Sequence, residues 1–216
     1  MKTLQYSLYS LLIIGFLASC GSDKKSTVIE SDDGKVKIEN LKNAGEQMEK
    51  AVNDAEKRRE ERKKRGDTLA MNYKELQKYL PDINGYTKIG NPGGESITMP
   101  GMGSFSQADQ SYESGDKSIE ITLLDYNQSM LGFTAASAMF SMNIQVENDQ
   151  EKSGSFETGI NGVRGYETIS KTDQRAEVMY AIADRFMLTL KLNGSNDGDV
   201  LKKIAKGMKL DELASK

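Results

Sequence analysis

Cys20 is the residue of this 216-residue sequence with the clearest chemistry, because it is the only cysteine and no histidine is present. Without histidine, neither a Cys–His nucleophile pair nor a Ser-His-Asp triad can form. Zinc sites built from Cys and His are excluded for the same reason, and one cysteine cannot form an intramolecular disulfide. The sequence therefore predicts no catalytic residue, no metal site, no cofactor and no enzymatic activity. It leaves the Cys20 thiol for covalent modification.

The residues before Cys20 predict an export signal. Lys2 precedes an apolar run from Leu8 to Phe16, which is too short for a comfortable permanent transmembrane helix. The ending Leu17-Ala18-Ser19-Cys20 resembles the lipobox of bacterial lipoproteins. The resemblance implies cleavage after a signal peptide of residues 1–19, a diacylglyceryl group on the Cys20 sulfur and acylation of the new amino terminus. An uncleaved signal anchor, or an ordinary secretory signal with a chance cysteine, is the alternative.

The same resemblance implies a location. Gly21 follows the cysteine, where an aspartate would resemble the inner-membrane retention signal of enteric bacteria. The next residues also match poorly the acidic run that sends some Bacteroidetes-type lipoproteins to the cell surface. We therefore expect a lipid-anchored protein of the bacterial cell envelope, at the outer membrane and facing the periplasm. Two or three acyl chains would hold it firmly at the membrane.

Composition divides the rest of the chain into three parts. Residues 20–40 are rich in Ser, Asp and Lys, which predicts a lipidated flexible tether. Residues 41–66 predict a charged helical stalk, since apolar residues recur at helical spacing up to Ala55 and charges fill every position after it. Residues 67–216 hold 15 Lys and Arg against 21 Asp and Glu, a net charge of −6. They predict one acidic globular domain, which excludes a nucleic-acid partner.

The end of the stalk is the second candidate site. Between residues 57 and 65 lie seven basic and two acidic side chains. They either keep a spacer helix solvated or contact anionic phospholipid headgroups or an acidic partner. The candidate contact residues are Lys57, Arg58, Arg59, Arg62, Lys63, Lys64 and Arg65. Just beyond them, Asp67-Thr68-Leu69 resembles the short acceptor motif for O-glycosylation in Bacteroides-type bacteria.

The globular part alternates between helical and strand patterns. A capping box from Asn72 to Glu75 predicts a helix that stops at Pro81. The later patterns predict short strands at Tyr86–Ile89 and Ser96–Met99, a hairpin of 104–113 with 117–126, a helix over 129–143, a polar loop over 147–153, strands at 155–160, 163–170, 175–183 and 186–192, and a helix over 199–208.

This order of elements predicts the α+β class. We expect an antiparallel sheet of about six to eight strands with flanking helices, preceded by the charged helical stalk. The order over 68–213 is similar to that of the PsbP-like domain found in small bacterial lipoproteins.

Two polar groups carry weaker candidate chemistry. Asn193 to Asp199 partly resembles a calcium loop, but Ile204 stands where the bidentate glutamate is needed, and a polar turn with an aspartate cap explains the same residues. Four acids lie around the predicted hairpin, and a catalytic carboxylate pair among them would need a geometry that strands alone do not give. They are Asp109, Asp116, Glu120 and Asp125.

Two functions stay open on the sequence. The first is a non-enzymatic interaction or adaptor module. It would present a sheet face, or the glycine-rich loop predicted between Gly90 and Gly103, to an envelope protein or a cell-wall component. The second is a periplasmic small-ligand carrier or sensor with a pocket between the sheet and helix 129–143. A large buried cavity lined by Phe133, Phe140 and strand residues would favour the carrier, and a filled core with an exposed apolar patch would favour the module.

Overall fold

One antiparallel sheet organises the protein. The computed structural model describes residues 27–31, 34–38, 41–99, 103–127, 133, 140 and 144–216. Cys20 and most of the predicted helix 129–143 lie outside these residues. The strands are β1 (Thr27–Ser31), β2 (Gly34–Ile38), β3 (Thr87–Met99), β4 (Gly103–Ser114), β5 (Lys117–Asp125), β6 (Ile144–Glu147), β7 (Glu151–Phe156), β8 (Val163–Ser170), β9 (Arg175–Ile182) and β10 (Phe186–Asn193).

The ten strands lie in the order β1-β2-β6-β7-β8-β9-β10-β5-β4-β3. Two meanders, β3-β4-β5 and β6 to β10, join where β5 pairs antiparallel with β10. The hairpin β1-β2 extends the sheet beyond β6 and falls within the predicted tether of residues 20–40. The chain therefore contributes strands from its N-terminal part as well as from the predicted domain.

The described helices are mostly short. They are α1 (Leu41–Lys64), α2 (Tyr73–Leu76), which continues as a 3-10 turn over Gln77–Tyr79, α3 (Gly198–Lys206) and α4 (Leu210–Ala214). α2 begins at Asn72, whose Oδ1 accepts a hydrogen bond of 3.0 Å from the backbone N–H of Lys74. Asp197 caps α3 in the same way, from the N–H of Asp199. Each cap satisfies a backbone donor that the first helical turn leaves without a partner.

The main core lies between one face of the sheet and α3 and α4. Alternation along β5 turns Ile119, Ile121 and Leu123 to this face, where they are buried. α3 and α4 cover it with buried side chains such as Leu201 and Leu213. A fully buried side chain of this size stabilises the fold by about 1.5–3 kcal/mol. A smaller cluster, formed by Phe133, Phe140, Tyr166, Ala181 and Met187, occupies the opposite face.

The predicted α+β class is wrong, because the described part of the chain is dominated by its sheet. The prediction treated the glycines between Ile89 and Ser96 as a loop, whereas β3 runs through them with a bulge between Ile89 and Gly93. The predicted polar loop 147–153 holds the end of β6 and the start of β7. Ladder hydrogen bonds stabilise such polar or glycine-rich strands once a neighbouring strand is present, and local hydrophobicity does not reveal that neighbour.

Other elements form where their sequence patterns predict them. The hairpin of β4 and β5 turns at Gly115, whose φ is +61°, a backbone conformation that glycine adopts at no steric cost. β8 has the predicted bounds of 163–170, and β9, β10 and α3 lie within one or two residues of theirs. Period-2 alternation and turn chemistry are local signals, which is why they predict these elements well.

Candidate functional site

The predicted basic stretch lies at the C-terminal end of α1 and in the residue after it. This end packs on the sheet domain rather than standing apart from it. Ala55 and Arg62 are buried, and Arg62 is only 3% exposed. Nε of Arg62 donates to Oδ1 of Asn127 at 3.0 Å, and Nη2 donates to the Asn127 carbonyl at 3.4 Å. Arg62 therefore cannot contact a membrane while the helix is docked.

Asn127 connects the docked helix to the loop that follows it. Its Nδ2 group donates to Oδ1 of Asp67 at 3.0 Å and to the carbonyl of Leu69 at 2.7 Å. The amide thus bridges Arg62, at the end of α1, and the segment that leads to α2. Since Asn127 lies two residues after the end of β5, this bridge fixes the end of the helix against the end of that strand.

Arg185 and Asp125 form the buried centre of the same region. Nε and Nη2 of Arg185 donate to the two carboxylate oxygens of Asp125 at 2.9 and 2.8 Å. Nη1 donates to Oδ2 of Asp67 at 2.7 Å. Asp125 is fully buried, so the bidentate geometry and its further backbone donors offset the cost of desolvating the charge. We call Arg62, Asp67, Asp125, Asn127 and Arg185 the ion network.

The two arginines of the ion network differ in their electrostatics. Burial lowers the pKa of Arg62, and the nearby charge of Arg185 lowers it further. Burial acts in the same direction on Arg185, but its hydrogen bonds to Asp125 and Asp67 outweigh this effect, and the pKa of Arg185 is raised. Both side chains stay charged at physiological pH, since an arginine guanidinium is effectively always protonated. The ion network therefore has a structural role, because it joins the end of α1 to β5 and to the turn between β9 and β10.

The turn between β9 and β10 extends the network to a second contact with α1. Ala183 and Asp184 both have positive φ, of 52° and 50°, and the N–H of Arg185 closes the turn on the Ile182 carbonyl at 3.0 Å. The carboxylate of Asp184 pairs with Nε of Arg58 at 3.1 Å and with Nη2 of Arg164 at 2.8 Å. Arg58 therefore contacts the sheet domain through this ion pair.

Beside this ion pair lies an open cleft between α1 and the strand ends. Its volume is about 290 Å³. The lining residues are Lys50, Asp54, Arg58, Asn161, Gly162, Val163, Arg164 and Asp184. Their charges are mixed, with three cations and two carboxylates, and the carboxylate of Asp184 already bridges two of the cations.

Of the five remaining predicted basic residues, Arg59 is half-buried beside Ala55 and Arg62, and the other four form the outer side of α1 and of the residue after it. Lys57, Lys63, Lys64 and Arg65 are exposed. Glu60 approaches two neighbours, with Oε1 at 3.9 Å from Nζ of Lys63 and at 3.6 Å from Nη2 of Arg59. These exposed pairs neutralise little of the positive charge, because solvent screens them. Contact of this outer side with a membrane or an acidic partner stays a prediction.

The weaker candidates receive structural explanations. Asp197, in the loop that resembles a calcium site, caps α3, and Ile204 lies within that helix. No group of three or more metal-ligating side chains occurs within the described residues. Asp125 belongs to the ion network, and Asp67 of the glycosylation-like motif pairs with Arg185. Asp109 lies opposite Thr122 and Glu120 opposite Ser111, so the register aligns neither acid with another carboxylate.

The space predicted for a ligand pocket is filled where the structure describes it. Phe133 packs edge-to-face on Tyr126, with 6.1 Å between ring centroids, and Phe140 packs on Tyr166 at 6.0 Å. The cavity bounded by Phe133 and α1 measures about 10 Å³, the size of one water molecule.

Among the described helices, none is long and apolar enough to cross a membrane.

Sequence reasoning missed the ion network. One signal for it was present, since Asp125 continues the buried register of Ile119, Ile121 and Leu123 and so places an acid at an inward position. Such an acid requires a cationic partner. Nothing in the local pattern identifies Arg185, which lies 60 residues further along the chain.

No family model matches this sequence, and no curated protein matches it. Two solved structures are similar in parts of their fold. The extracellular domain of PknH from Mycobacterium tuberculosis has a TM-score of 0.41 and 9% identity, over 69% of this chain and 100% of that chain. A putative uncharacterised protein (Rv0999 ortholog) from Mycobacterium smegmatis has a TM-score of 0.34 and 10% identity, over 64% of this chain and 97% of that chain. Likenesses this distant carry no argument about function, and the similarity to PsbP-like domains stays a prediction.

Proposed function

We propose that this chain is a lipid-anchored protein of the bacterial cell envelope whose globular part acts as a non-enzymatic interaction module. Cys20, at the end of the lipobox-like segment, supplies the anchor. The proposed location is the outer membrane, with the protein facing the periplasm. The domain that follows presents its surface to an envelope protein or a cell-wall component.

The packing at Phe133 and Phe140 is the observation that favours a module over a small-ligand carrier. A carrier needs a cavity of a few hundred Å³ that encloses its ligand. The aromatic side chains at the predicted pocket instead contact Tyr126 and Tyr166, and the space beside Phe133 holds one water at most. Where the structure describes it, this space is filled, which supports a module that binds through its outer surface.

In-cell crosslinking of the full chain tests the module. A module gives a discrete crosslinked species with an envelope component, which mass spectrometry then identifies after affinity purification under denaturing conditions. The same purified chain, not crosslinked, is extracted with organic solvent and the extract is analysed by mass spectrometry. A stoichiometric small molecule in the extract would contradict the module and support the carrier.

Acyl labelling tests the anchor separately. The Cys20→Ser chain should incorporate no labelled fatty acid and should keep its signal segment, because the sulfur that receives the diacylglyceryl group is missing. The Ser22→Ala chain, changed two residues away, serves as the matched control and should label normally. Lipid incorporation by the Cys20→Ser chain would show that the anchor proposal is wrong.

A further inference from the structure

The outer edge of β3 is one end of the sheet of described strands, and β1 forms the other end. Among the described strands, none pairs with β3 on the side away from β4. Such an edge presents backbone N–H and C=O groups that an added strand can take. Two of the most exposed large hydrophobic side chains of the described residues lie on this strand, Ile89 at 47% and Ile97 at 41%.

The third such side chain, Leu69 at 60% exposed, lies elsewhere. The backbone N–H of the next residue, Ala70, donates to Oγ of Ser104, which lies opposite Thr98 of β3. Since successive side chains of a strand point to opposite faces, this contact is on the face of the sheet away from Ile97 and Phe105. Ile89 lies eight residues before Ile97, so of these three side chains Ile97 is the one at the regular part of the edge.

One half of this edge is protected against pairing. Nε2 of Gln77 donates to the carbonyls of Pro92 and Gly93 at 3.0 and 2.9 Å, and Pro92 has no N–H to offer. The register with β4 also shifts between Ile89 and Gly93. Proline and bulges are common protections of edge strands. From Glu95 to Met99 the register with β4 is regular, so this segment is the part of the edge suited to an added strand.

A row of apolar side chains on one face of the sheet ends at Ile97, at the edge. Ile97 lies opposite Phe105 of β4. Phe105 packs edge-to-face on Tyr126, with 5.4 Å between ring centroids, and Tyr126 packs on Phe133 in the same way. A side chain opposite Ile97 on an added strand would extend this row by one cross-strand pair.

We propose that the β3 edge from Glu95 to Met99 pairs antiparallel with the same segment of a second copy of this chain, with Ile97 opposite the second copy's Ile97. In this register Ser96 lies opposite Thr98, and Glu95 lies opposite Met99. No two like charges face each other, which removes the usual penalty of self-pairing. The apolar row then runs without a break through both copies.

The length of the contact sets its strength. Five residues at about 3.4 Å each make a pairing roughly 17 Å long, which is smaller than a stable standard interface. Pairing therefore depends on concentration, and anchoring in one membrane raises the effective concentration of the copies. The raised effective concentration depends on the lipid anchor proposed above, whereas the register does not.

Disulfide crosslinking of the full chain in the envelope of living cells tests the register. In Ile97→Cys the two thiols lie on directly opposite residues, whose Cα atoms are about 4.5–5.5 Å apart and within reach of a disulfide. Ile89→Cys is the matched control, since it lies on the same strand with similar exposure. In the proposed register it stands roughly 54 Å from its counterpart. We expect oxidation to give a covalent dimer of Ile97→Cys and roughly fivefold less or none of Ile89→Cys.

A charge change at position 99 tests the same register independently. In the Ile97→Cys background, Met99→Glu sets two pairs of like charges across the dimer, while Met99→Lys sets two pairs of opposite charges. We expect roughly threefold less dimer for Met99→Glu and no loss for Met99→Lys. Equal effects of the two substitutions would overturn the register.

Three other outcomes decide between the proposals. Equal dimer from Ile97→Cys and Ile89→Cys, or no dimer from either, overturns the pairing. A crosslink from Ile97→Cys to a different protein overturns the choice of a second copy. A dimer of the unsubstituted chain would arise at Cys20 and would contradict the lipid anchor, while the comparison of positions 97 and 89 still decides the edge.

Discussion

Asp125 accepts four hydrogen bonds in the interior of the protein. Two come from Arg185, one from the backbone N–H of Met71 at 2.7 Å and one from that of Asn127 at 2.8 Å. The carboxylate thereby joins β5, the β9–β10 turn and the loop after α1. A buried charge with this many donors is stable, but each partner becomes costly to remove.

Arg185→Met should destabilise the protein strongly. It leaves the Asp125 carboxylate buried without its cation, and removing one partner of a buried pair costs about 3–5 kcal/mol. Lys88→Met is the matched control, because Lys88 pairs with Asp82 at 2.7 Å, as Arg185 does with Asp67, but at the surface. This control should lose less than about 1 kcal/mol. Urea unfolding measures both, and equal losses would contradict a central role for the ion network.

The buried hydroxyl of Tyr112 makes the stability depend on alkaline pH. Burial, with a smaller effect from the charge of Asp82, raises the pKa of Tyr112 from 10.0 to about 12. Above pH 10 the unfolded chain loses this proton while the folded chain keeps it. The contribution of Tyr112 is therefore fully present below pH 10, and the free energy of unfolding falls as the pH rises towards 12.

Tyr112→Phe should make this fall shallower. The phenylalanine cannot ionise, so the unfolded state gains no advantage from losing a proton at this position. At neutral pH the variant should lose about 1 kcal/mol, because the hydroxyl no longer donates to the Pro81 carbonyl at 2.7 Å. Urea unfolding at pH 8, 10 and 11 measures both effects. Parallel pH profiles of the variant and the unsubstituted chain would contradict the assignment.

At the scale of the element, α1 has two different sides near its end. Arg62 is buried in the ion network and Arg58 pairs with Asp184, while Lys57, Lys63 and Lys64 are exposed. An amphipathic stripe does not explain this division, since every residue from 56 to 65 is charged. The docking instead depends on hydrogen bonds from arginine, whose planar group can serve several acceptors at once.

Binding to anionic vesicles should depend on the exposed side alone. Each Lys or Arg near an anionic surface contributes on the order of 1 kcal/mol, and the attraction falls off within the Debye length. A lipid-free chain of residues 21–216 should cosediment with phosphatidylglycerol vesicles at low salt and dissociate as salt rises. Replacing Lys57, Lys63 and Lys64 by Gln should abolish this binding without lowering the melting temperature. Unchanged binding of this variant would show that the outer side of α1 is an inert spacer.

At the scale of the whole molecule, both apolar clusters lie beyond α1. The main cluster and its partly buried neighbours run from Met71 to Ala214, and the smaller one also contains no residue of α1. Among the side chains of α1 that the structure describes, Ala55, Arg58 and Arg62 add contacts outside these two clusters. We therefore expect the sheet domain to fold without α1, although α1 contacts it.

A chain that begins at Gly66 should melt cooperatively at a lower temperature. It keeps both apolar clusters but loses the hairpin β1-β2, which pairs with β6, and the hydrogen bonds of Arg62 to Asn127, which are worth about 1–3 kcal/mol. For a domain of this size the melting temperature should fall by roughly 5 °C. Scanning calorimetry of the long and short chains measures the difference. A broad, non-cooperative transition of the short chain would show that the segment before Gly66, with β1, β2 and α1, belongs to the folding unit.

Several strands could be predicted because their signals are local. The alternation of Ile119, Ile121 and Leu123 defines the buried face of β5, and Gly115 supplies the turn before it. The glycine-rich course of β3 and the strands β6 and β7 could not be predicted in this way. The side chains of β7 and of the glycine-rich part of β3 do not favour a strand, and β6 has only four residues, so these backbones pair because a neighbouring strand supplies the hydrogen bonds.

The sequence by itself determined the chemistry that this protein lacks, since a chain without histidine and with one cysteine cannot build the common nucleophilic and zinc sites. It also determined the basic end of α1 and the period of most strands. The tertiary structure decided which of those charges face solvent. Arg62 and Arg65 look alike in sequence, yet Arg62 is buried against Asn127, 65 residues away, while Arg65 is exposed. Periodicity reports on neighbours within one element, whereas burial of a charge depends on which distant residues can receive its hydrogen bonds.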